Sequence, residues 1–224
     1  MILVFDLDDT LYEEITYVKS GFKAVSDYLL KRSNIPKNES FNIMVKILEL
    51  EGRGKIFDKM LSEFKLNSKK YIRECLSVYR LHKPYIELYD SAKRCLDRFS
   101  DIPKYIVTDG NKIVQKRKIN SLDLKNTFKR IFITHQYGLK YSKPSSYCFE
   151  KITKLENIKP NKIVFIGDDP KKDFVGIKPL GFKTIRVMTG NHRFEKLKPE
   201  YEADISIKSL DEINHMLLNE IGAN

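Results

Sequence analysis

The chain has 224 residues, 42% apolar and 32% charged, with a formal net charge of +11. That length accommodates one large domain, or one domain carrying a smaller one, and the apolar share supports a real core, which excludes wholesale disorder and collagen-like or coiled-coil chains. No run approaches 18 consecutive apolar residues, and Met1-Ile2-Leu3-Val4-Phe5-Asp6 carries no basic leader, so neither a membrane span nor a secretory signal is expected.

Ile2 to Phe5 is a short continuous apolar run ending in acids, the pattern of a strand buried on both faces. Residues 15 to about 87 lack any such run. Instead Val18, Phe22, Val25 and Leu29 fall at helical spacing, as do Ile56, Phe57, Met60, Leu61 and Phe64, and then Ile72, Cys75, Leu76 and Tyr79. Pro36 and Gly52-Arg53-Gly54 punctuate them. A β-α-β crossover needs only one helix, so residues 15–87 are expected to form a helical domain of their own. Apolar runs return at Tyr105-Ile106-Val107, Ile131-Phe132-Ile133, Ile163-Val164-Phe165-Ile166 and Thr184-Ile185-Arg186-Val187. Helices are expected over 115–121, 147–155 and 171–180, then a short strand at 203–207 and a closing helix over 211–218. Strand alternating with helix predicts an α/β protein, with a mostly parallel sheet covered on both faces and built from residues 1–14 and 88–224.

The strongest chemical signal ends the first strand: Asp6-Leu7-Asp8-Asp9-Thr10. Crowded carboxylates in a partly dry site repel one another, and a hard divalent cation with oxygen ligands, Mg²⁺, is the natural compensation. A second acidic group, Gly167-Asp168-Asp169-Pro170-Lys171-Lys172-Asp173, follows the fourth core strand. Strands of open α/β sheets deliver functional residues at their carboxyl ends, so the two groups can converge at one sheet edge. Thr108 follows the second core strand, where a hydroxyl and backbone N–H groups can cradle a phosphate. Lys143, before Pro144, could neutralise both a phosphate and the acids.

These four motifs, in this order, resemble the haloacid dehalogenase superfamily of phosphohydrolases: Asp6-x-Asp8-x-Thr10, Thr108, Lys143-Pro144, and Gly167-Asp168-Asp169 with Asp173 behind. Gln115-x-x-Lys118, Phe128 and Gly181 also resemble family positions. The resemblance covers essentially the whole chain and implies a Rossmann-like core with an inserted all-helical C1 cap. It implies that Asp6 is the nucleophile and Asp8 the general acid and base. Mg²⁺ would be held by Asp6, the Asp8 carbonyl and Asp168, with Thr108 and Lys143 on the phosphoryl oxygens. Asp169 and Asp173 would bind metal through water or orient Lys143, and the sequence ranks neither. Asp8 argues for a phosphatase or phosphomutase, since dehalogenase members lack a carboxylate two residues after the nucleophile. The expected substrate is a small phosphomonoester: a sugar phosphate, a nucleotide or a similar metabolite. The alternatives are a phosphomutase and a non-catalytic phosphate-binding module.

Lys140 is a second candidate for the lysine role, because four residues separate Gly138 from Lys143 where relatives often have two. Arg80 and His82, at the end of the helical insert, are candidates to touch substrate or to serve as an ordinary hinge, and Tyr12 either lines the leaving-group pocket or is buried structure. The 31 lysines and 10 arginines are spread along the chain with no aromatic-basic platform, so nucleic acid is not the expected partner. Three distant cysteines suggest neither disulfides nor zinc and suit a reducing cytoplasm; a monomer or homodimer is expected.

Overall fold

The computed structural model describes residues 1–223. Six strands form one all-parallel sheet: β1 (Ile2–Phe5), β2 (Lys104–Thr108), β3 (Arg130–Ile133), β4 (Ile163–Gly167), β5 (Lys183–Val187) and β6 (Ile205–Ile207). Their order is β3-β2-β1-β4-β5-β6. Every residue of β1, β2 and β4 is buried, which is why β1 and β4 read as apolar runs and β2 as the run Tyr105-Ile106-Val107 between a buried Lys104 and Thr108. Phe5 pairs in register with Ile106 on one side and Ile166 on the other. The strand order reverses at β1 and β4, and in open α/β sheets ligands bind beyond the strand ends at that reversal.

The chain divides into two compact units, Met1–Glu14 together with the chain from Glu87 onward, and Ile15–Ile86. The first holds the sheet with α5 (Asp90–Arg98), α6 (Lys112–Ser121), α7 (Tyr147–Glu156) and α8 (His215–Glu220). Its core packs Val4, Tyr105, Phe132, Phe149, Phe165 and Phe174. The second is all helix: α1 (Glu14–Ser33), α2 (Lys37–Glu51), α3 (Ile56–Glu63) and α4 (Lys69–Leu81). There α1 buries Val18, Phe22, Val25 and Leu29, the residues at helical spacing, and Phe22, Phe57 and Tyr79 pack ring against ring. Among the described residues no helix is long and apolar enough to cross a membrane.

Two expected helices differ. Residues 171–180 form turns and a single 3₁₀ turn, Lys178–Leu180, rather than an α-helix. Pro179 supplies no backbone donor, and Gly176 lies so close to the Pro144 carbonyl that any Cβ would overlap it. This backbone therefore follows its neighbour instead of a helical period. The closing helix is short and late. A 3₁₀ turn, Leu210–Glu212, comes first, and then Asn214 caps α8 by accepting from the Leu217 N–H at 2.9 Å.

Candidate active site

Asp6 and Asp168 each stand one residue beyond a buried strand, β1 and β4. Ladder pairing holds the two strand ends level, with the Asp6 N–H donating to the Ile166 carbonyl at 2.8 Å. Asp173 returns from the turn after β4. Oxygens of Asp6, Asp168 and Asp173, all three buried, come within 4.8 Å of one another. Gly167 makes room for this, since a Cβ there would overlap the Asp173 carboxylate. Lys143, 6% exposed, reaches into the group: its Nζ lies 2.8 Å from Asp6 Oδ1 and 2.6 Å from Asp173 Oδ1. Asp173 also accepts from the Asp169 N–H at 3.0 Å, and Thr10 Oγ1 donates to Asp168 at 3.3 Å.

One buried ammonium does not balance three carboxylates. Burial pushes Asp6 up to about 7, with Lys143 pulling down and Asp173 pushing up. Burial, then Asp173 and Asp6, push Asp168 up to about 9. Burial disfavours the charge on Lys143, but Asp173 and Asp6 outweigh it and hold the ammonium protonated. The surplus negative charge and the all-oxygen donor set fit a hard divalent cation such as Mg²⁺.

Asp8 has separate surroundings. Lys118 Nζ lies 2.6 Å from its Oδ1, Gln115 Nε2 donates to its Oδ2 at 2.9 Å, and the Tyr12 hydroxyl donates to Oδ1. Burial pushes the Asp8 carboxyl up, but the Lys118 charge and the hydrogen bonds from Lys118, Tyr12 and Gln115 reverse this and hold it below the usual carboxylate range. The same Gln115 amide donates to Thr108 Oγ1 at 2.7 Å, so Thr108 and Asp8 are joined through one side chain. In the sequence Gln115 and Lys118 stand out only as family positions. Their three-residue spacing, which puts both on one helix face, is the signal that could have found them.

The remaining candidates separate. Asp169 turns away from the carboxylate group: it accepts from the Lys171 N–H at 3.0 Å and pairs with Lys172 at 3.2 Å and His192 at 3.4 Å. Asp173 therefore belongs to the group and contacts Lys143, while Asp169 does not. Lys140 sits 5.0 Å over the Tyr141 ring, and Lys143 is the lysine at the carboxylates. Asp109, beside Thr108, accepts from Thr134 Oγ1 at 2.6 Å and from the Lys143 N–H at 3.1 Å, bracing the loop that presents that lysine. Arg80 and His82 belong to the helical unit. Arg80 is exposed, and His82 packs 5.1 Å from the Tyr17 ring with its Nδ1 2.6 Å from the Tyr79 carbonyl.

Comparison with known proteins identifies the family. Residues 3–187 match the family model for haloacid dehalogenase-like hydrolases. A glyceraldehyde 3-phosphate phosphatase of Pyrococcus furiosus is 27% identical over 99% of this chain and 95% of its own. Another, from Methanocaldococcus jannaschii, is 26% identical over 97% and 96%. In fold, the chain is similar to the HAD hydrolase YfnB of Bacillus subtilis bound to magnesium, with TM-score 0.66, 20% identity, and 98% of this chain and 97% of that one covered. The chain belongs to the haloacid dehalogenase-like hydrolases, and it is an enzyme of that hydrolase class.

Proposed function

We propose that this protein is a Mg²⁺-dependent phosphatase that hydrolyses a small phosphomonoester through an aspartyl-phosphate on Asp6. The observation that carries this reading is the division of the carboxylates into two settings. Asp6 lies in the buried group with Asp168, Asp173 and Lys143, while Asp8, two residues on, is held apart by three donors. Nucleophile and proton carrier need such different environments.

An Asp6 oxygen attacks phosphorus, the ester P–O bond breaks, and the leaving alkoxide takes a proton from Asp8. Asp8, now a carboxylate, then takes a proton from water. That oxygen attacks phosphorus, the bond to Asp6 breaks, and inorganic phosphate leaves. The Lys118 pairing suits the second role, and the negative charge of a bound phosphate beside Asp8 would raise its carboxyl toward the first. Lys143 and Thr108 hold the phosphoryl oxygens, and Asp173 orients Lys143. Asp6, Asp168 and the Asp8 carbonyl would hold the divalent cation, whose charge, when bound, offsets the repulsion between an anionic nucleophile and an anionic phosphate.

The helical unit, Ile15–Ile86, interrupts the chain where this superfamily's C1 caps occur, and we assign substrate choice to it, with Arg80 and His82 as the candidates. Because the two relatives are glyceraldehyde 3-phosphate phosphatases by name, triose and other sugar phosphates come first among the expected substrates. Phosphate release measured over a panel of sugar phosphates and nucleotides, with Mg²⁺ and with EDTA, tests the reading. Asp6→Asn should lose at least about 10³-fold in kcat. A variant keeping more than about a tenth of the rate would remove Asp6 from the nucleophile's role.

A further inference from the structure

Lys118 takes no part in the bond changes above, yet it is only 3% exposed. Lysine is rarely so buried, and an ammonium withdrawn from water costs several kcal/mol unless it is paired. Its partner is the Asp8 carboxylate at 2.6 Å, with Glu14 farther away at 3.8 Å. Gln115, 1% exposed and one turn earlier on α6, donates to the other Asp8 oxygen and to Thr108. Both Asp8 oxygens are thus held by donors from one rigid helix. That helix is fixed at its start by Asn111, which accepts from the Ile113 and Val114 N–H groups at 3.0 and 3.4 Å. Anchoring α6 does not require this ion pair, because Ile119 and Leu122 already bury its apolar side.

We propose that Lys118, with Gln115, is a positioning residue for Asp8. The pair holds the acid–base carboxylate in one orientation and, through Thr108, registers it against the end of β2. The proposal rests on reading Asp6 as nucleophile and Asp8 as proton carrier.

p-Nitrophenyl phosphate separates the two chemical steps. Nitrophenolate leaves without needing a proton, so formation of the phospho-enzyme does not depend on Asp8, whereas its hydrolysis does. Lys118→Met should lower steady-state kcat by about 10²-fold, the lower range for one acid–base group. KM should fall in step with kcat, so that kcat/KM stays near the wild-type value, and the Mg²⁺ dependence should stay unchanged. Rapid mixing should show a burst approaching one nitrophenolate per enzyme, as the phospho-enzyme waits for water to be activated. Lys118→Arg should recover part of the rate. Gln115→Leu should show the same burst with a smaller loss, and it decides the matter if Lys118→Met does not fold. A loss of rate without a burst, a change confined to KM or Mg²⁺ dependence, or an unchanged kcat would overturn the proposal. Asp6→Asn run alongside separates the two failures. If it matches wild type, the phosphatase reading itself is wrong. If it is inactive while Lys118→Met and Gln115→Leu behave as wild type, only the positioning role is lost.

Discussion

Three buried carboxylates sharing one lysine make the folded state sensitive to pH. A carboxyl whose folded pKa lies above its ordinary 3.8 takes up a proton on folding, so it favours the folded state at low pH and penalises it as pH rises. Asp6 at about 7 and Asp168 at about 9 both have this sign. Asp8 and Asp169, held below 3.8, have the opposite sign, but their contribution is already complete above that pH. Stability in EDTA should therefore fall between about pH 5 and pH 9. Thermal or urea unfolding across that range checks it, and Mg²⁺ should flatten the decline. A stability that rises with pH in EDTA would mean that the three carboxylates are not crowded as described.

At the scale of elements, β1 and β4 place the carboxylates and α6 places the groups that hold Asp8. The N-cap of α6 is a single side chain, Asn111, joined to two backbone donors. Asn111→Ala should cost about 1 kcal/mol of stability, measured by denaturant unfolding. It should also lower phosphatase activity, since fraying the first turn loosens Gln115. A variant equally stable and equally active would show that tertiary packing, not the cap, sets the start of this helix. The strands and the later part of α6 were legible before the structure because buried parallel strands read as apolar runs and because the mixed polar segment between two of them, 115–121, leaves room for a helix. The stretch 171–180 was not, because its backbone answers to Pro144 and to the position of Asp173, and neither leaves a mark on local periodicity.

Over the whole molecule, the charge of +11 attracts anions whichever residues bind them. For a dianionic phosphomonoester, kcat/KM should fall several-fold as ionic strength rises from about 0.01 to about 0.15 M, because the Debye length shrinks from about 30 to about 8 Å. The turnover number should change little, since pairs as buried as Lys143 with Asp6 are weakly screened. Steady-state kinetics over a salt series checks this, and an unchanged kcat/KM would mean that the lysines contribute no steering.

By itself the sequence determined the α/β alternation, the placing of Asp6 and Asp168 after buried strands, and the helical character of residues 15–87, because each depends on local periodicity or on a strand's direction. Only the tertiary structure decided the pairing of side chains distant in sequence. Lys143 and Asp173 meet across 30 residues, and Lys118 and Asp8 across 110. Asp169 and Asp173 could not be ranked from their spacing. Which of them reaches Lys143 depends on the course of the turn after β4 and on the space left at Gly167, and those are settled by packing rather than by any periodic pattern.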